Sequence, residues 1–355
     1  MIAMALGTAV YAFLGIWLSF QVARKYLPEP SAFLATLGIW FASPLAFYIY
    51  VDPSFSHAHS AFAAALFVWY WDRTRGSRTW QQWIVLGVIA GLLITIYYPN
   101  VFILILPLLE SLGEYREAMK SPESGKFTSL LAKNLLFAAI AFVLFIPTMI
   151  TKKILFGGYF TFSYKVRWFW NSPAFFKVWF SADHGLFTWT PILIPAVIGL
   201  FLLRSKDRIL GSYFLILFVA YTYFIGCYEV WHGLHSYGAR FFVSLSVIFI
   251  LGLAAFLNWL SRVAAGRSIV LRAASLVIAL LCIWNFGLIF QFGLHLVPPV
   301  GPISFRDAAY NQVAVVPIRA CRMLYSFARP RIHPGSQGRF QSTNTPGSIK
   351  EEGTT

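Results

Sequence analysis

The sequence predicts an all-α, polytopic integral membrane protein of about ten transmembrane helices. Three observations predict it. Hydrophobic residues make up 58% of the 355 and charged residues only 12%, too few to cover the surface of a soluble protein of this size. Mean hydropathy is accordingly high, at +0.67. Apolar runs of about 18 residues or more, the length a helix needs to cross a bilayer, recur along the chain. The roughly ten-residue alternating segments of a membrane barrel are absent.

Taken in order, the predicted spans fall at about 2–23, 31–50, 57–72, 80–98, 100–112, 134–151, 189–204, 211–227, 241–260 and 270–290. The first run lacks the basic start and small-residue cleavage pattern of a signal peptide. The fifth is short and ends in the polar segment GEYREAMKSPESGKFTS, which suits a tilted or partly interfacial helix. Residues 1–295 thus form a transmembrane domain with a long loop at 156–188. A Pro- and Gly-rich extension follows at 296–333, then a polar tail at 334–355 with the composition of a disordered segment.

The net charge of +15 does not indicate nucleic acid, because Lys and Arg are scattered through short loops and the tail. Fifteen basic residues, from Arg24 and Lys25 to Arg272, fall in one alternating set of loops. Six fall in the other set before the tail: Lys152, Lys153, Lys165, Arg167, Lys177 and Arg240. The bias places the first set in the cytoplasm and the N-terminus outside. All seven histidines then lie on the outer side, with three acids before the tail: Asp52, Asp183 and Glu229. Cys227, Cys282 and Cys321 are too scattered for a disulfide framework or a metal motif.

Three outer clusters result: YVDPSFSHAHS, FSADHGLFTWTP and YEVWHGLHSYGARF. Ionisable groups at a membrane edge are expensive and by default mark a functional site. Each cluster also has a plain reading. Asp52-Pro53-Ser54 suits a helix N-cap with Pro in the first turn, Asp183-His184-Gly185 an exposed turn, and Glu229, His232, His235 and Arg240 a solvated loop with interfacial aromatics. Against the last, Arg240 abuts a long apolar run and is well placed to hold an anion. Asp52, His57, His59, His232 and His235 offer metal-type ligands, so a divalent cation, with His57 and His59 as its ligands, is an open expectation. H-A-H spacing on a helix points the two rings apart. The aromatic 156–190 loop carries Lys165 and Arg167 and follows Lys152 and Lys153; these suit either a lipid phosphate or snorkelling to headgroups.

The chain resembles the C-type (GT-C) glycosyltransferase superfamily, in particular bacterial relatives of the protein O-mannosyltransferases and the lipid A aminoarabinose transferase. Three stretches within about residues 10–290 carry the likeness: AFLGIWLSFQVARKYLPEPSAFLATLGIWFASPLAFYIYVDPSFSHAHSAF, DHGLFTWTPILIPAVIGLF and WHGLHSYGARFFVSLSVIFILGLA. The resemblance implies a GT-C-like bundle with short outer-face helices or loops. It also implies transfer of a sugar from a polyprenyl- or dolichyl-phosphate donor to a glycan, lipid or protein acceptor. The site would lie on the non-cytoplasmic face, in a bacterial plasma (inner) membrane, facing the periplasm or the exterior. A carboxylate would act as general base and a cation would hold the leaving phosphate. Asp52, Asp183 and Glu229 are the candidate catalytic acids. Arg240, Lys152, Lys153, Lys165, Arg167, His57, His232, His235 and Tyr237 are the candidate substrate and phosphate contacts. The first span matches the family's second, so the family's first span and its acidic first outer loop are expected to be missing. This leaves room for a non-catalytic or truncated member that binds lipid or a partner. A transporter fits less well, since almost no charge falls at mid-membrane.

Overall fold

A computed structural model describes residues 2–120, 125–160, 166–263 and 267–328. Lys165 and the tail at 334–355 lie outside these residues. The chain divides into two compact units, Met1–Val316 and Pro317–Thr355. The first thus takes in the stretch after 295, where the Ile303 amide donates to the Ala182 carbonyl (3.2 Å) and Gln291 Nε2 to the Ala308 carbonyl (3.1 Å).

The helices of the first unit follow in order. They are α1 (Ile2–Tyr26), α2 (Glu29–Phe41), α3 (Leu45–Tyr50), α4 (His57–Thr74), α5 (Trp80–Ile96), α6 (Ile105–Lys120), α7 (Lys126–Phe156), α8 (Phe175–Phe180), α9 (Leu186–Trp189), α10 (Leu193–Leu203), α11 (Arg208–Cys227), α12 (Ser246–Val263), α13 (Arg267–Gly293) and α14 (Phe305–Tyr310). A last helix, α15 (Val316–Ala328), closes the described chain. There is no strand among the described residues, only an isolated antiparallel bridge between Trp168 and Tyr228.

Helix starts and stops follow from local chemistry. Thr79 and Gln82 form a reciprocal capping box at the start of α5. Asp207 caps α11 by accepting from the Leu210 amide (2.9 Å). Gly157 ends α7 in the left-handed conformation at φ 79°. Hydropathy alone does not register breaks inside apolar runs. The second predicted span is two helices, α2 and α3, interrupted around Pro44, where the Ser43 hydroxyl turns back to the Ile39 carbonyl (2.6 Å). The fifth starts as a 3-10 stretch, Tyr98–Leu104, before becoming α6.

Among the described residues, five helical stretches are long and apolar enough to cross a membrane: Ile2–Tyr26, Lys126–Phe156, Arg208–Cys227, Arg240–Val263 and Ser268–Gly293. Trp80–Ile96 and Leu193–Leu203 are apolar but shorter. The set fits a multi-pass membrane protein. In the most apolar window of Arg240–Val263, 89% of residues are buried, against 6% for Lys126–Phe156, so α12 is the centre of the bundle and α7 lies on its rim. The tightest crossing is α10 on α12. A Cβ on Gly252 would lie 2.1 Å from the Ala196 carbonyl oxygen, and one on Gly199 would lie 1.7 Å from that of Gly252. Small residues let apolar helices touch backbone to backbone, a contact suited to bundles in lipid.

The two ends of the bundle differ. At one, charge is paired off. Lys25 Nζ lies 2.8 Å from Asp72, Arg75 bridges Asp72 and Asp207, and Arg78 lies 3.0 Å from Glu110. At the other, the links 51–56, 97–100, 166–185 and 228–240 converge.

Candidate functional site

Arg240 opens the 3-10 turn (Arg240–Leu245) that leads into α12. Its guanidinium carbon lies 5.6 Å from the Phe55 ring centroid and 5.3 Å from that of Phe241. Its Nε is buried and has no hydrogen-bond partner. No described carboxylate pairs with it, unlike Arg75 and Arg78 at the opposite end. Two other buried polar atoms nearby also lack partners: His57 Nδ1 and the Tyr97 hydroxyl. The His57 ring stacks beside Phe55 (5.9 Å, 12°) and lies 4.6 Å from the Tyr48 ring and 5.4 Å from that of Tyr97. Arg240 is close enough to act electrostatically on Tyr48, His57 and Tyr97 alike. Buried polar groups are normally satisfied, so Arg240 Nε and the two polar atoms beside it are groups to which a ligand could bind. A planar guanidinium with free donors suits an oxyanion.

The loop from 228 to 240 wraps this arginine tightly. A Cβ on Gly233, at φ 80°, would lie 3.0 Å from Arg240 Nε. Gly238 also has positive φ, and a Cβ there would meet Pro44 at 2.7 Å. The same loop carries a second group. His184, itself in the left-handed region at φ 59°, contacts the Asp183 carboxylate through Nδ1 and the Ser236 carbonyl through Nε2, both at 2.7 Å. Its ring stacks on Trp189 at 4.8 Å. Burial pulls the His184 imidazole below its ordinary pKa, against Asp183 and the Ser236 carbonyl, which favour the protonated ring. The other Asp183 oxygen is 4.0 Å from His232 Nδ1, which accepts from the Leu234 amide at 3.3 Å. A carboxylate between two imidazoles is an arrangement able to take and release a proton.

Ser236 ties the two groups together. Its carbonyl accepts from His184 while the segment around it hydrogen-bonds to Tyr48: the Tyr237 amide donates to the Tyr48 hydroxyl (3.1 Å). Beneath the site lies a buried polar network of Ser60, Asn100 and Ser244, with the two serine hydroxyls 2.7 Å apart.

Other candidates are engaged elsewhere. Asp52 accepts from the Ser54 hydroxyl at 2.5 Å and braces the 52–55 turn. It does not cap α4, whose N-cap is Ser56. Glu229 accepts from the Arg167 amide (2.9 Å) and its own amide donates to the Arg167 carbonyl (3.1 Å). These bonds extend the Trp168–Tyr228 bridge, so both residues serve the loop pairing. Tyr237 is fully buried, stacked on Phe47 and donating to Asn285 Oδ1 at 2.8 Å. Lys153 Nζ donates to the Gly157 carbonyl at 2.9 Å and closes its own helix end. Lys152 lies with Nζ 3.8 Å from the Tyr98 centroid, beside a cavity of about 440 Å³ against Pro147, Thr151 and Phe156. His235 is exposed. His59 pairs with Tyr11 at 5.4 Å while His57 faces Tyr48 and Tyr97. Among the described residues no three His, Cys, Asp or Glu side chains are grouped to hold a metal ion. The site residues do not fit the divalent cation.

Tyr48, Tyr97 and Ser236 are site residues that the pattern of acids and histidines does not reveal. Their one signal is position: YIYVDP, YYPN and SYG each sit where an apolar run meets a link. Family models, curated proteins and solved structures were compared with the chain, and none matches it.

Proposed function

We propose that this chain is an integral membrane glycosyltransferase of the GT-C type. It crosses the membrane about ten times, with the Arg240 end on the non-cytoplasmic face of a bacterial inner membrane. Its donor is a polyprenyl-phosphate sugar and its acceptor a hydroxyl of a glycan, lipid or protein. The observation that carries this reading is the unpaired Arg240 guanidinium, with open His57 Nδ1 and Tyr97 hydroxyl beside it.

In this reading the acceptor oxygen attacks the anomeric carbon of the sugar. The bond from that carbon to the phosphate oxygen breaks, and the electron pair leaves with the phosphate. Arg240 stabilises the charge that develops there. The acceptor proton passes to Asp183, the one of the three candidate acids whose carboxylate lies between two histidines. Asp52 and Glu229 hold turns in place.

The test is transfer from labelled polyprenyl-phosphate sugars by membranes that contain the full chain, with donor retention measured separately. Arg240→Ala should weaken donor retention and lower transfer by about 100-fold or more, and Arg240→Lys should restore only part, because a point charge does not replace the fork. Unchanged donor affinity in Arg240→Ala would remove the phosphate role. Donor binding by the wild-type chain without transfer to any acceptor would leave a lipid-binding protein and not an enzyme.

A further inference from the structure

Helix α15 is unlike the long helices of the bundle. It is far more strongly amphipathic than any of them, and its sequence VPIRACRMLYSFA holds no acid. Arg319, Arg322 and Ser326 fall at spacings of three and four and form one narrow polar stripe. Pro317, Cys321 and Leu324 lie opposite it, flanked by Val316, Ala320 and Met323 on one side and by Ile318 and Tyr325 on the other. The apolar side chains are open: Ile318 is 54% exposed, Met323 42% and Leu324 69%.

α15 continues without a break from the helical run that begins at Phe305, through a π-helical stretch at Asn311–Val315, so length does not exclude a span. Composition does: the run carries Arg306, Asp307, Asn311, Gln312, Arg319 and Arg322 and is not among the helices apolar enough to cross a membrane. A wide apolar arc with a narrow basic stripe fits a helix lying in the plane of a membrane interface, its arginines reaching up to headgroups.

We infer that α15 docks on the surface of an anionic bilayer, its partner being the lipid headgroup phosphates and acyl chains and not another protein. Charge complementarity argues for this: the helix has two cations and no anion, and it belongs to a chain whose other helices fit a multi-pass membrane protein. Each basic side chain near an anionic surface favours binding by about fivefold, so the pair favours the docked state by about 30-fold.

Cys321 reports on the docking, since it lies on the apolar arc and is exposed. The full chain is placed in nanodiscs of phosphatidylcholine, with or without phosphatidylglycerol, and labelled with a charged, membrane-impermeant maleimide. A Cys321→Ser chain supplies the background from Cys227 and Cys282. Labelling at Cys321 should slow by up to about 30-fold in anionic discs, recover in high salt, and recover in Arg319→Glu/Arg322→Glu. Equal rates in both disc compositions would overturn the inference. So would protection that persists in detergent, which would mean that protein, either this chain's own bundle or a second copy, covers the helix.

Discussion

Glu110 should be the most damaging single carboxylate to remove. Its partner Arg78 has a side chain only 2% exposed, and Glu110 itself is 11% exposed. The pair distance is 3.0 Å. At an effective dielectric of about 20, that separation corresponds to roughly 5 kcal/mol of attraction. Glu110 also accepts from Trp71 Nε1 at 2.7 Å and from the Gly76 amide at 3.0 Å. In Glu110→Ala, Arg78 would keep the Thr74 hydroxyl at 2.9 Å and the Trp71 carbonyl at 3.1 Å, but no carboxylate. Its NH1 already has no partner. Water entering the gap returns part of the loss, so the expected cost is about 3–5 kcal/mol, the range for a buried pair stripped of one member. An apolar replacement of both, Arg78→Met/Glu110→Met, should cost much less than Glu110→Ala alone. The assay is equilibrium unfolding in mixed micelles followed by tryptophan fluorescence, run as a double-mutant cycle. A loss below about 1 kcal/mol in Glu110→Ala, or a double variant as unstable as the sum of the singles, would refute the claim that Arg78 is a dehydrated charge dependent on this acid.

Three further outcomes follow from the same physics. Burial alone would raise the Asp207 pKa, but the Leu210 amide and Arg75 outweigh it and hold the carboxyl below its usual range. The unfolded chain therefore binds that proton first, so the contribution of Asp207 is present above about pH 4 and is lost as pH falls through the lower folded value; Asp207→Asn should flatten the acid limb of the stability profile while keeping the cap. Gly252→Val should cost about 3 kcal/mol by forcing α10 from α12, whereas Gly7→Ala, where a Cβ meets nothing within 4 Å, should be neutral or stabilising; equal thermal shifts for the two would contradict the backbone contact. His184→Ala should cost about 3 kcal/mol through the lost ring and the orphaned Ser236 carbonyl, and should speed amide exchange across 232–239 before it affects α12.

The sorting of charge by alternate links was legible in the sequence because antiparallel helices return every second link to the same end. That rule alone gathers Asp52, His57, Asp183, His232 and Arg240, which lie far apart in the chain, at one end. What each group does there was not legible. Glu229 and Asp183 look alike in sequence, an acid with histidine close by. Their difference comes from a pairing between distant links: the Trp168–Tyr228 bridge brings the Arg167 amide to Glu229, while Asp183 is left to His184 and His232. Tyr237 reads as a polar group beside Arg240, yet Asn285, far along the chain, takes its hydroxyl inward. Nor does hydropathy distinguish a long helix from two short ones, as at Pro44.

The two ends of the bundle also set Arg240 apart by contrast. Arg75 and Arg78 sit in an apolar protein and are each matched by an acid at hydrogen-bonding distance. A chain with 28 basic and 13 acidic residues cannot match them all, and exposed lysines need no partner. Arg240 is different, because its Nε is buried. Its neighbours are aromatic rings and two polar atoms equally without partners, His57 Nδ1 and the Tyr97 hydroxyl. Leaving three such groups open costs about 1–3 kcal/mol each. An oxyanion would recover that cost at a single point, whereas repacking the wall with apolar side chains would remove it without any ligand. A bound oxyanion would satisfy these groups together, and this makes Arg240, more than any of the acids, the residue on which the proposed activity turns.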